Sequence, residues 1–149
     1  MNYQELLQVG DALLSEQPNQ TALLSNASAF LNDHIERLNW VGFYLFDGVN
    51  LTVGPFQGKV ACSLIPLGKG VCGEAAVKKQ TMVIKDVHQH ANHIACDANS
   101  NSEVVVPIFI KDKLFGVLDV DSPIFDRFDP KLVEFLEEFV KLLVKTIDN

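Results

Sequence analysis

The chain is short of positive charge. Of its 149 residues only 12 are Lys or Arg against 19 Asp or Glu, a net charge of −7. Binding along a phosphate backbone rests on clustered Lys and Arg, so this balance argues against a surface that tracks nucleic acid or an anionic membrane. Long apolar runs are missing too. The longest, Val104-Val105-Val106-Pro107-Ile108-Phe109-Ile110, falls far below the ~20 residues of a membrane-spanning helix. The N-terminus, MNYQELLQVGDALL, has neither a basic segment nor an apolar core of signal-peptide type, which predicts a cytoplasmic location. Cysteine is scarce, with three in all. An odd number in a reducing compartment argues against a disulfide framework and leaves metal binding, redox chemistry or inert core thiols. Repeats, linkers and low-complexity blocks are absent, so the length predicts one domain, 1–149.

What is present is an ordinary globular balance, 48% hydrophobic and 21% charged. Leu6, Leu7, Val9, Leu13 and Leu14 keep helical spacing up to Pro18, and Leu23, Leu24, Ala27, Phe30, Leu31 and Ile35 form a second such pattern. Trp40 to Phe46 switches to strand character, and Asp47-Gly48 is a hairpin signal into Leu51-Thr52-Val53. Further strands are expected at 63–67, 81–84, 103–110 and 114–120, with a short helix from Glu74 to Lys79 behind the glycines Gly68, Gly70 and Gly73. A last helix starts at Asp129-Pro130, an N-cap followed by proline at the first helical position. Its apolar stripe is Leu132, Leu136, Phe139, Leu143 and Ile147. The expected fold class is α+β, a mostly antiparallel sheet of about six strands with the terminal helices packed on one face.

Three constellations carry possible chemistry. Val87 to Cys96, VHQHANHIAC, holds His88, His90, His93 and Cys96, which are potential zinc ligands. Their spacing is not a usual zinc pattern and no C-x2-C partner exists, so the expectation is no metal site and a polar loop. Cys62, Cys72 and Cys96 all fall in segments read as connections, which favours thiol redox chemistry over inert core thiols. Cys72 stands where a helix begins, and a helix N-terminus stabilises a thiolate. The third constellation is acidic. Asp119 and Asp121 lie two apart and share a strand face. A turn at Lys111–Lys113 pairs positions that sum to about 224, which brings Glu103 beside them. Clustered carboxylates raise one another's pKa, so they suit a cationic amino group or a protonated acid that donates to an oxygen. Trp40 and Tyr44, at i and i+4 of one strand, are core residues or an aromatic wall for a small ligand.

Together, Asn39-Trp40-Val41-Gly42-Phe43-Tyr44, the C-x9-C-x23-C spacing of Cys62, Cys72 and Cys96, His93-Ile94-Ala95-Cys96-Asp97, and Gly116-Val117-Leu118-Asp119-Val120-Asp121-Ser122 resemble the free methionine-(R)-sulfoxide reductases, small GAF-domain enzymes. The resemblance covers essentially the whole chain. It implies a GAF fold and reduction of free methionine-(R)-sulfoxide without a cofactor. Cys96 would be the nucleophile, Cys62 the resolving cysteine, and Cys72 an alternative resolving or relay thiol. Glu103, Asp119, Asp121, Trp40 and Tyr44 would bind substrate, thioredoxin would return the electrons, and the assembly would be a homodimer. The alternative expectation is a non-catalytic GAF sensor of a small molecule or of redox state.

Overall fold

A computed structural model of the chain describes residues 1–94 and 96–148. Two helices come first, α1 (Tyr3–Ser15) and α2 (Gln20–His34). Asn2 and Asn19 cap them, each side chain accepting a backbone N–H three residues on, at 2.8 and 2.9 Å. Then come β1 (Trp40–Phe46), β2 (Asn50–Gly58), β3 (Leu64–Pro66), α3 (Gly70–Lys78) and β4 (Met82–Ile84), and after them β5 (Ser102–Ile110), β6 (Lys113–Ser122) and α4 (Pro130–Ile147). A single 3₁₀ turn, Val87–Gln89, interrupts the segment between β4 and β5. No helix among the described residues is long and apolar enough to cross a membrane.

The six strands form one sheet in the order β3-β2-β1-β6-β5-β4, with every neighbouring pair antiparallel. Side chains alternate between its faces. Val41, Phe43, Val104, Val106, Ile108, Leu118 and Val120 point one way and meet α1, α2 and α4. Trp40, Tyr44, Val105 and Val117 point the other way and meet α3. The terminal helices therefore do share one face, and among the described residues α3 is the helix on the other. Asp129 caps α4 through a 2.9 Å bond from Leu132 N–H, with Pro130 in its first turn. Leu132, Leu136, Phe139 and Leu143 are each fully buried, worth about 1.5–3 kcal/mol apiece relative to exposure.

The β5–β6 hairpin has the anticipated register. Glu103 faces Asp121 and Val105 faces Asp119, up to an irregularity at Ile108/Phe109. Its turn residues Lys111 and Asp112 have φ of 51° and 65°, the left-handed pair of a type I′ hairpin. Helix α3 differs from expectation, running from Gly70 to Lys78 rather than from Glu74 to Lys79. Two of the glycines that read as a break, Gly70 and Gly73, are inside its first turn because packing demands them there. A Cβ on Gly73 would meet the Pro66 carbonyl oxygen at 2.6 Å, and Gly70 has φ +63° with Ile94 against its α-carbon. Cys72 consequently sits within a helix, buried, and not in a connection.

Candidate active site

The α3 face of the sheet carries a pocket at the end where β1, β6 and β5 run side by side. Odd-numbered positions of β5 and β6 point to this face, so Glu103, Asp119 and Asp121 line it, with Trp40 and Tyr44 from β1 and Cys72 from α3. Cys96 and His93 close it from the loop before β5. The space out to its mouth, open solvent included, is about 480 Å³. Cys62 does not line the pocket. It is joined by a disulfide to Cys96, with the two Cα atoms 5.3 Å apart. Cys72 is a free thiol.

Two aromatic side chains hold the segment that bears Cys62. Trp40 Nε1 donates to the Lys59 carbonyl at 3.2 Å, and Tyr44 Oη donates to the Cys62 carbonyl at 3.0 Å. Their rings stack on each other, and Trp40 also stacks on Phe56 at 5.0 Å between centroids. Both are core residues and pocket walls at once. On the other side of Cys96, Asn39 Nδ2 donates to Asp97 Oδ2 at 2.8 Å and to Ser100 Oγ at 2.9 Å. Neither Ser100 nor this clamp was anticipated, for the partners lie 58 and 61 residues apart and leave no periodic trace.

The carboxylates are buried, with Glu103 and Asp119 each 6% exposed and Asp121 8%. None forms a salt bridge with a Lys, Arg or His among the described residues. Burial, then the charge of Asp121, pushes the Glu103 carboxyl up to about 8. Burial and the neighbouring carboxylates push Asp119 and Asp121 well above the usual range as well. Such a cluster keeps protons at neutral pH. The Cys72 thiol is raised by burial first and then by Asp119, Glu103 and Asp121. This corrects the expectation of a helix-stabilised thiolate: burial, and after it the carboxylates across the pocket, outweighs the first turn of a nine-residue helix.

The histidines do not converge. His88 Nε2 bonds Asn101 Oδ1 at 2.8 Å, and His90 Nε2 bonds Glu74 Oε1 at 2.7 Å. His93 is held below its ordinary value by burial and then by His88 and His90, which works against a positive charge beside Cys96. The first two are specific partners of the fold, more than solvated loop polarity. Asn92 Nδ2 adds a 2.8 Å bond to the Gly68 carbonyl. His90, Asn92 and Ile94 thus strap the Cys96 loop onto the first turns of α3.

A sheet with helices on both faces and a ligand-sized pocket between α3 and the strands is the build of a GAF domain, and the GAF domain family matches residues 5–147. Within that class, the chain belongs to the free methionine-R-sulfoxide reductases. It is 44% identical over 145 residues to the free methionine-R-sulfoxide reductase of Escherichia coli, covering 97% of this chain and 88% of that one. The fRMsr of Staphylococcus aureus in its reduced form superposes with a TM-score of 0.94 at 53% identity, covering 98% and 95% of the two chains. The free methionine-R-sulfoxide reductase of Neisseria meningitidis, in complex with its substrate, superposes with a TM-score of 0.94 at 40% identity over 98% and 88%.

Proposed function

We propose that this protein reduces free methionine-(R)-sulfoxide to methionine. The observation that carries the reading is the Cys62–Cys96 disulfide closed at the rim of a pocket lined by Glu103, Asp119 and Asp121. In the reduced protein the Cys96 thiolate attacks the sulfoxide sulfur. The sulfoxide oxygen takes a proton as the Sγ–S bond forms; the hydroxyl then passes to Sγ as the S–O and Sγ–S bonds break, so Cys96 ends as a sulfenic acid and methionine is released. Cys62 then attacks the Cys96 sulfur, water leaves, and the disulfide forms.

Glu103 is the carboxyl whose acidity best suits a proton donor, since near 8 it is protonated at neutral pH and still acidic enough to give its proton up. The remaining carboxylates receive the substrate's ammonium group, which offsets the charge they accumulate. That requirement selects the free amino acid, because a methionine inside a chain has no ammonium there. Trp40 and Tyr44 flank the methyl-sulfoxide end. Cys72, neutral and buried, is a poor nucleophile and stands as an alternative resolving or relay thiol behind Cys62.

We further propose thioredoxin as the dithiol that reopens the disulfide, the cytoplasm as the compartment that supplies it, and a homodimer as the assembly. Cys62 and Cys96 are both half-exposed, which leaves the bond open to an attacking thiol. The test is epimer-resolved turnover of free and peptide-bound methionine sulfoxide, with thioredoxin and its reductase. The reading requires activity on the free R epimer alone; equal rates on the peptide would overturn it.

A further inference from the structure

The floor of the pocket holds a second set of donors apart from the disulfide. Cys72 Sγ and one carboxylate oxygen each from Glu103 and Asp119 all lie within 4.8 Å of one another, and all three residues are buried. Asp119 is 6% exposed, and its Oδ1 accepts no hydrogen bond from any described residue. A buried carboxylate oxygen without a donor is costly unless something cationic or protic meets it. The donor atoms of a tetrahedral zinc site stand about 3.5 Å apart, given bonds of about 2.3 Å to sulfur and about 2.0–2.2 Å to oxygen. The three groups here need to close by only about 1 Å to reach that geometry.

We propose that Cys72, Glu103 and Asp119 form a binding site for a borderline-soft divalent cation of the zinc or cadmium type, with the fourth position open to the pocket. The mixed sulfur and carboxylate set suits such ions and disfavours calcium and magnesium, which take oxygen alone and in larger number. Binding exchanges protons for metal. The Cys72 S–H bond breaks, its proton goes to solvent, and the sulfur lone pair forms the S–metal bond. Any proton held on Glu103 or Asp119 leaves in the same way, and nothing is oxidised or reduced. Cys62 and Cys96 spend their sulfurs on each other in the oxidised protein, so the site persists there with Cys72 as its one thiol. Cation and substrate also exclude each other; that consequence rests on the substrate reading above, whereas the site does not.

The test is titration of the oxidised full chain with cadmium, followed by thiolate-to-cadmium charge-transfer absorption. The expected result is an absorption that saturates at one equivalent, is displaced by zinc, and is indifferent to excess calcium or magnesium. Cys72→Ser removes it, Asp119→Asn weakens binding by about tenfold or more, and His93→Ala leaves it in place. No absorption in the oxidised wild-type protein would overturn the site, whether or not the variants fold. So would absorption that survives Cys72→Ser, or an affinity that follows His93 and ignores Asp119. Saturation at one equivalent with no competition from free methionine sulfoxide would support the cation site and count against the substrate placement instead.

Discussion

Tyr44 Oη donates a 3.0 Å hydrogen bond to the carbonyl of Cys62. A rigid strand of the sheet thereby fixes the backbone of the residue that must meet Cys96. Trp40 does the same three residues upstream through the Lys59 carbonyl. Tyr44→Phe removes the hydroxyl and keeps the ring stacked. The loss is about 1 kcal/mol, so disulfide closure after the first turnover should slow about fivefold while methionine release in that turnover stays fast. Rapid-quench measurement of both products in one reaction separates the two steps, and unchanged closure would remove Tyr44 from this role.

The cysteines divide by position. Cys96→Ser should abolish reduction of the R epimer entirely. Cys62→Ser should release one equivalent of methionine per chain and then stall as a sulfenic acid that a dimedone-type trap captures. Cys72→Ser should keep most steady-state activity, since its thiol is neutral and buried. Loss of the Cys62–Cys96 bond in mass-spectrometric mapping of oxidised Cys72→Ser would instead make Cys72 an obligatory relay.

Glu103 links activity to stability through pH. In the folded, substrate-free protein it holds a proton up to about 8, whereas in the unfolded chain it releases that proton near 4.3. The native state therefore binds the extra proton between those values, and stability must fall as pH rises through the window, by up to about 1.4 kcal/mol per pH unit for one such group. Glu103→Gln should make that decline shallower in denaturant unfolding measured from pH 5 to 8, with Asp119 and Asp121, also raised, sustaining the rest. The same variant should also lose most of kcat/KM, and the wild-type alkaline limb near 8 should vanish with it. A wild-type protein that becomes more stable across this window would refute the assignment.

Much of this site is legible in the sequence because hairpin geometry is rigid. A two-residue turn at Lys111-Asp112 and a side-chain period of two suffice to bring Glu103, Asp119 and Asp121 to one place. What escapes is whatever depends on tertiary approach. The glycines of α3 look like a break until Pro66 is seen pressing on Gly73. Cys72 looks activated until its burial, with the carboxylates opposite, is seen. Asn39 with Asp97, and His90 with Glu74, are partners across loops whose spacing obeys no period.

The His90–Glu74 bond is the remaining handle on catalysis. Burial alone would raise the Glu74 carboxyl, but hydrogen bonds from His90 and Asn92, then the His90 charge and Lys78, bring it below its ordinary value. A lowered acid stabilises the fold above its unfolded pKa, and the contribution is lost as pH falls through the folded value. Glu74→Ala should unfasten the Cys96 loop and lower kcat about threefold to tenfold, as expected for about 1 kcal/mol of lost positioning, with Glu74→Gln recovering most of it. Steady-state kinetics of the pair decide the matter; identical loss in both variants would point to helix destabilisation rather than to the latch.

The disulfide spans 34 residues, and between its ends lie all of α3 and the edge strand β4, which pairs only with β5. In the proposed cycle each oxidation turns that module from a stretch of open chain into a covalent ring, and each reduction opens it again. That cycle would be written in topology: the part of the fold that roofs the pocket is open chain in one half of it and a closed hoop in the other.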